Sequence, residues 1–373
     1  MHSGTSSCRS DSPADRRPQL IVDTVTLRDF RSYESLELSL ASGLVLVVGA
    51  NGAGKTNLLE SLHVGTQGFS PRTRMDAQLV RTGADRSRIS LQGRRGPTGT
   101  TIDVTLGRRD AKQADLNGAR LKSVEQLRRE VTTLVFTPDR LALVKGAPAV
   151  RRAYLDRSLA RILPSRAAIP VEYLTAIGQR NAALRRIAAG LSSRDAADPW
   201  TGHVVEYGEA LVEVRREAVG LLGPLFTEHA NELGLLGATI SYDSDAPTRA
   251  QLDARFARDL ERGLTGLGPH LDDMPITADT RELRTFGSQG EQRIAVLSLL
   301  LAEAEVLRDR RGVLPLILLD DVLSELDGSR RAHLAHRLAE FGQTVVTSTG
   351  AETLPIAPAQ LLEVTPGKVR EVA

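Results

Sequence analysis

The chain predicts an α/β fold in which a nucleotide-binding layer is interrupted by a mainly helical insertion. Three observations carry that prediction. A buried apolar strand runs straight into a glycine-rich turn and an amphipathic helix in "GLVLVVGANGAGKTNLLESLHV", residues 43–64. From about residue 124 the hydrophobic period lengthens from two to three or four, the spacing of helices. The chain then returns to a buried apolar strand in "VLPLILLDD", residues 313–321.

Taken in order, residues 1–19 hold almost no large apolar side chains and are expected to be a disordered extension. "LIVDTVTLRDF" and "SLELSL" alternate as two half-buried strands, and "RISLQG", "TIDVTL" and "ADLNGARL" read as further strands. Apolar spacing in "RRAYLDRSLARIL", "VEYLTAIGQRNAALRRIAAGL" and "HVVEYGEALVEVRREAVGLLGPLFTEHANEL" predicts long helices. A strand at 237–243 and a helix at 248–263 lead to "FGSQGEQR", which opens another long helix, and "QTVVTST" supplies a late strand. The expected layout is an extension at 1–19, a head built from 20–125 and 280–373, and an arm at 126–279.

Composition narrows the class. A 373-residue chain with 41% hydrophobic and 25% charged residues suits a soluble protein of two or three domains. The one cysteine, Cys8, allows no internal disulfide framework, so a cytoplasmic setting is expected. Apolar runs such as "LVLVV" are far below the roughly 18–20 residues of a membrane helix, and no secretory leader is read at the start. The basic residues comprise only five lysines against 43 arginines. Function and the codon bias of a GC-rich genome are the two explanations of such a global excess; local clusters bear on polyanion binding.

The chemistry begins at Gly49, Ala50, Asn51, Gly52, Ala53, Gly54, Lys55 and Thr56, a G-x-x-x-x-G-K-[ST] loop between a strand and a helix. Its glycines let backbone N–H groups face a nucleotide's phosphates, Lys55 would reach the β/γ oxygens, and Thr56 would ligate Mg²⁺. Asp320, at the end of an apolar strand, is the expected second metal ligand. Asp321 beside it is the candidate to orient the attacking water. Ser288 stands at a helix start with Gln289 and Gly290 in the first turn, where it can serve as an ordinary cap or meet an anion.

This order of parts, with "SELD" following the acidic strand end, resembles the ATP-binding-cassette ATPases. "LRDFRSYESLEL", "GANGAGKTNLLES", "SPRTRMDAQLVR", "LVFTPDRLALVKGAPAVRRAYLD", "GPHLDDM", "GSQGEQR" and "LLDDVLSELD" together resemble the RecF family of bacterial recombination-mediator ATPases. The resemblance implies a cassette-type ATPase head, with mixed β layers, flanking helices and a phosphate-loop core, carrying the helical arm. It also implies an ATP-dependent homodimer on DNA in which Ser288 of one protomer meets the γ-phosphate bound by another, with Asp327 in the dimer loop. Arg31 in "FRSY" is expected near the nucleotide. The implied work is recombinational repair of gaps and stalled forks, with RecO and RecR helping to load RecA, and support of replication and the SOS response.

The chain departs from that pattern in places. "QTVVTSTG" offers Thr347, Ser348 and Thr349 where transport cassettes carry a histidine, and Asp321 is shorter than the usual glutamate. Both imply slow turnover suited to a switch, and with the resemblance they imply a weak, DNA-stimulated ATPase. Leu271 replaces an expected arginine, and the Mg²⁺-proximal glutamine stays open among Gln67, Gln78 and Gln92. For DNA, Arg72, Arg74, Arg81, Arg86, Arg88, Arg94 and Arg95 face only Asp76 and Asp85 in their own stretch. Arg151, Arg152, Arg157 and Arg161 make a second candidate surface. Aromatics at 3% argue for backbone contacts to duplex or to a duplex–single-strand junction rather than base stacking. A structural chromosome-organising head and a membrane transporter's energising subunit are the competing classes.

Overall fold

The computed structural model describes residues 20–323, 326–351 and 354–372, so the extension expected at 1–19 lies outside the described residues. Strands β1 (Leu20–Phe30) and β2 (Tyr33–Ser39) form the antiparallel hairpin that their alternation predicts. A register shift at Val22/Thr24 moves the inward face of β1 from Leu20 and Val22 to Val25 and Leu27. The apolar β3 (Leu44–Val48) leaves this layer, enters the phosphate loop and continues as helix α1 (Lys55–Gln67). Strands β4 (Arg86–Arg95), β5 (Thr98–Gly107), β6 (Gln113–Leu116) and β7 (Ala119–Arg120) complete a six-stranded antiparallel sheet, ordered β2-β1-β4-β5-β6-β7.

After α2 (Leu127–Glu130) comes β8 (Thr133–Phe136), then α3 (Ala142–Lys145), α4 (Pro148–Ile162), α5 (Ile169–Ala188) and α6 (Asp198–Glu232). Strand β9 (Ala238–Ile240), helices α7 (Arg249–Ala254) and α8 (Phe256–Arg262), and strands β10 (Ile276–Ala278) and β11 (Arg281–Glu282) follow. Strands β9, β10 and β11 make a small sheet of their own. The chain ends with α9 (Leu283–Phe286), α10 (Gln289–Arg311), β12 (Leu316–Leu319), α11 (Gly328–Glu340), β13 (Thr344–Ser348), β14 (Gln360–Thr365) and β15 (Lys368–Val372).

The central sheet is ordered β15-β14-β3-β13-β12-β8, and all its neighbours run parallel except β14 and β15. Its inner strands β3 and β12 read as unbroken apolar runs because both faces are covered. Leu44 and Leu46 of β3, Ile317 and Leu319 of β12, and Leu134 of β8 belong to one core, shared with α4, α6 and α10. Val45, Val47, Leu316, Leu318 and Val135 point the other way, into a second core shared with α1 and the antiparallel sheet.

This arrangement corrects one expected boundary. Residues 133–136, assigned to the arm by the change of period, are the edge strand of the central sheet, with Thr133 opposite Leu316 and Phe136 opposite Leu319. A four-residue apolar strand carries too few residues for its period to be told from a helix turn. The arm is also joined to the head by packing, since Leu211 and Leu222 of α6 lie in the same core as Leu319.

Candidate nucleotide-binding site

The site sits where the parallel strands end. At Gly49 a side chain would place its Cβ 2.4 Å from the Val364 carbonyl oxygen of β14, so the loop can leave the sheet there only as glycine. Gly54, in the left-handed region with φ 116°, is the cap residue of α1 and accepts a 3.0 Å hydrogen bond from the Tyr33 hydroxyl. No side chain caps α1 and its first turn holds no acid, so its leading N–H groups stay available to an anion. Ala50 and Asn51 form the exposed crest, and Ala53 N–H donates back to the Ala50 carbonyl at 3.1 Å. Lys55 is folded onto the loop, its Nζ donating to the Gly49 and Ala50 carbonyls at 2.7 and 3.0 Å.

Across from the loop, the Thr56 hydroxyl donates to Asp320 Oδ1 at 3.0 Å, although 264 residues separate the two. The same carboxylate oxygen accepts from Thr347 of β13 at 2.7 Å, and Thr347 Oγ1 in turn accepts the Asp321 N–H at 2.9 Å. Asp321 takes a left-handed φ of 50°, a conformation uncommon outside glycine and one that turns the chain sharply at the strand end. Sequence reasoning marked Thr347, with Ser348 and Thr349, only as standing where a histidine was expected, and missed that it joins the two aspartates. Its only signal was a polar residue at the end of an apolar strand, and its use depends on β13 lying beside β12. A hydroxyl and a carboxylate at this spacing fit Mg²⁺, which takes few protein ligands and completes its shell with water and phosphate oxygens. No cluster of three acidic, histidine or cysteine groups occurs among the described residues.

Ser288 is the cap of α10 in a reciprocal capping box. Its hydroxyl accepts from Glu291 N–H at 3.2 Å, and its own N–H donates to Glu291 Oε2 at 2.7 Å. These bonds, with Arg281 3.6 Å away, hold the Glu291 carboxyl below its ordinary range. Ser288, Gln289 and Gly290 are all exposed. Gln292 fixes the preceding turn by donating to the Leu283 and Gly287 carbonyls at 2.9 and 3.0 Å. Arg293 reaches the Asp321 carbonyl at 3.4 Å and so links this helix to the acidic strand end. Asp327 caps α11 through Arg330 N–H at 3.0 Å and is exposed beyond it.

Arg31, expected near the nucleotide, has its guanidinium committed to a residue of α1. Its guanidinium pairs bidentately with buried Glu60 at 2.9 Å, and Glu60 also holds Ser70 and Arg72. The neighbouring residues touch the phosphate-loop region instead: Tyr33 bonds Gly54, and Ser32 Oγ accepts from Asn57 at 2.9 Å. Of the three candidate glutamines, Gln67 donates to the Val131 carbonyl, Gln78 accepts from Thr73, and Gln92 lies within β4.

The arginine stretch at 72–95 is not the bare cationic surface that its sequence suggests. Arg72 pairs with Glu60, Arg81 with Asp29, Arg86 with Asp110, Arg88 with Asp103, Arg94 with Asp23 and Arg95 with Glu130. Only Arg74 has no carboxylate partner among the described residues. The arm arginines are largely spent too: Arg151 is buried against Asp273, Arg152 donates to the Asp272 carbonyl, and Arg161 pairs with Glu303.

Comparison with known proteins agrees with this geometry. Residues 21–371 match the family model described as the RecF/RecN/SMC N terminal domain. A protein of Heliobacterium modesticaldum named DNA replication and repair protein RecF is 33% identical over 342 residues, covering 88% of this chain and 92% of that protein. Its namesake in Frankia alni is 36% identical over 357 residues, covering 89% and 94%. Among solved structures, one titled as the recombination mediator protein RecF-ATPrS in the RecFOR pathway superposes with a TM-score of 0.83 at 25% identity, covering 96% of this chain and all of that one. The Smc head of Pyrococcus furiosus shares the fold at a TM-score of 0.61 and 14% identity. With a cassette-type α/β head, a phosphate loop facing Asp320, and relatives matched over nearly their whole length, the chain belongs to the RecF family.

Proposed function

We propose that this protein is an ATP-dependent DNA-binding switch whose two protomers close around nucleotide in recombinational repair. The observation that carries the reading is the pairing of Thr56 with Asp320 at the open start of α1, while Ser288 faces outward with its bonds confined to its own cap. One chain thus holds a phosphate cradle and, separately, a serine-led helix start exposed toward a second molecule.

In this reading the N–H groups of Gly52 to Thr56 receive the phosphates, and Lys55 exchanges the Gly49 and Ala50 carbonyls for phosphate oxygens. Thr56 and Asp320 hold Mg²⁺, which when bound neutralises charge developing on the phosphates. Thr347 keeps the Asp320 carboxylate aimed at Thr56 and fixes the backbone of Asp321, which orients the attacking water. Ser288, Gln289 and Gly290 of the partner protomer close the site, and Asp327 lies at the join. A short Asp321 backed by a threonine hydroxyl, which is a poor proton acceptor, suits slow hydrolysis stimulated by DNA.

The partners proposed are DNA, a second copy of this chain, and RecR and RecO, with RecA loading as the outcome in the cytoplasm. Support comes from relatives named for DNA replication and repair and from a structural neighbour titled as a recombination mediator of the RecFOR pathway. Among the described residues no helix is long and apolar enough to cross a membrane. The chromosome-organising alternative fits less well, because α6 spans only about 50 Å at 1.5 Å per residue and packs back onto the head core.

Sedimentation of the wild type and Ser288→Arg with ATP, ADP or no nucleotide, and with and without duplex DNA, tests the reading. The expected result is a dimer for wild type with ATP, and a monomer for Ser288→Arg that still binds ATP. An unchanged monomer under all conditions overturns it.

A further inference from the structure

Helix α6 carries an uncovered face on the arm. Its buried side packs Val204, Leu211 and Val212 into the core, while His203, Glu206, Ala210, Glu213 and Glu217 recur at three- and four-residue spacing on the side turned to solvent. Along the margin of that stripe three rings form a ladder. Trp200 and His203 have ring centroids 5.9 Å apart at 48°, and His203 and Tyr207 stack at 5.6 Å and 13°. His203 is exposed, Trp200 is half-buried, and Tyr207 packs partly against the core, which holds the ladder in place.

The charge on this face has one sign. Glu206 and Glu213 are 69% and 70% exposed. The arginines of α6 itself turn elsewhere: Arg215 is buried on Asp156, and Arg216 donates to the Ser244 carbonyl and pairs with Asp245. At one end the face already receives a guanidinium, since Arg166 pairs with Glu213 and Glu217 at 3.5 and 3.0 Å. At the other end Glu206 faces His203 at 3.6 Å, and no arginine or lysine is paired with it among the described residues.

Rings beside carboxylates select one kind of ligand. A guanidinium is attracted to ring faces, pairs with carboxylates, and stacks flat where a compact ammonium does not. Stacked rings also suit nucleic-acid bases, but the carboxylates of Glu206, Glu213 and Glu217 along the same stripe repel the phosphates that accompany the bases. From Trp200 to Glu217 the face runs about 25 Å at 1.5 Å per residue, the reach of a polypeptide segment rather than of one small molecule.

We propose that this face of α6 docks a basic segment of a partner protein, with an arginine laid against the ladder of Trp200, His203 and Tyr207 and paired with Glu206. The face shares no residue with the nucleotide site and does not depend on the function proposed above.

Trp200 is the chain's only tryptophan, so its emission reports on this face. Wild type, H203A and E206Q/E213Q are titrated with acetylated octa-arginine amide, acetylated octalysine amide and a thymidylate dodecamer. The substituted positions are all exposed, so the buried side of α6 stays intact. For wild type, octa-arginine should change Trp200 emission saturably and bind roughly threefold or more tighter than octalysine. H203A should lose that preference, and E206Q/E213Q should bind both peptides roughly five- to tenfold more weakly.

Equal affinity for the two peptides, unchanged in H203A, would leave only a charged surface and overturn the proposal. No response to octa-arginine would overturn it too. So would a response to thymidylate in its place, which would make the ladder a base-stacking platform. An emission that changes on dilution, without peptide or nucleotide, would give the face to a second copy of this chain and also overturn the assignment.

Discussion

The starts of α1 and α10 are both glycine-rich, and both are offered to phosphate in the proposed cycle, yet they are built in opposite ways. At α1 the cap residue is Gly54, no side chain covers the leading N–H groups, and the nearest cation is folded onto carbonyls of the same loop. At α10 a serine and a glutamate satisfy one another and fill the anion position from within. An open helix start retains unsatisfied donors and gains most when an anion arrives. A capped start is stable alone, and an incoming anion must displace Glu291 from it. In the proposed function this difference gives nucleotide capture to α1 and a conditional response to α10.

The largest expected effect tests the open start. Gly49→Ala brings a Cβ to 2.4 Å from the Val364 carbonyl oxygen at a φ of 156°, so the loop must shift. Loss of about 2–4 kcal/mol of stability and of measurable nucleotide binding is expected. Denaturant unfolding with nucleotide titration checks it, and an unaltered variant would remove the steric basis for the loop.

Next in size is Thr347→Val, which removes the hydroxyl shared by Asp320 and Asp321. It should lower stability by about 1–3 kcal/mol and reduce Mg²⁺-dependent hydrolysis while sparing Mg²⁺-independent nucleotide binding. Equal loss of both binding modes would show that Thr347 supports the loop as a whole.

The smallest effects sharpen the capped start. Ser288→Ala should cost about 1 kcal/mol through the lost cap. Glu291→Gln keeps the shape but removes the charge. Since the folded Glu291 carboxyl is held below its ordinary range, its contribution is present above the unfolded glutamate pKa and is lost as pH falls through the folded value. The stability gap between wild type and Glu291→Gln should therefore close on acidification, a trend that urea titrations at stepped pH would detect. A gap that stays constant with pH would mean that the carboxylate contributes nothing through its charge.

Much of the head was legible along the chain. The strand–loop–helix around Lys55, the acidic strand end at Asp320 and the serine at a helix start are local patterns, because strands and caps are made by neighbours in sequence. Arg94 shows what was not legible. It pairs with Asp23, 71 residues away, on a strand brought alongside by sheet pairing. A count of charges within 72–95 could not include that partner, nor Asp29 for Arg81 or Asp103 for Arg88. Likewise β8 is a four-residue run whose role depends on β12 lying beside it.

By itself, then, the sequence determined the elements, the phosphate loop and the residue types of the site, since these follow from periodicity and from backbone chemistry over a few residues. Tertiary structure alone decided that Thr347 bridges the two aspartates, that Arg31 serves Glu60, and which acids the arginines of 72–95 pair with. The physical reason is shared by all three. A hydrogen bond or ion pair is a matter of a few ångströms in space, and parallel strands place side by side residues that the chain keeps far apart.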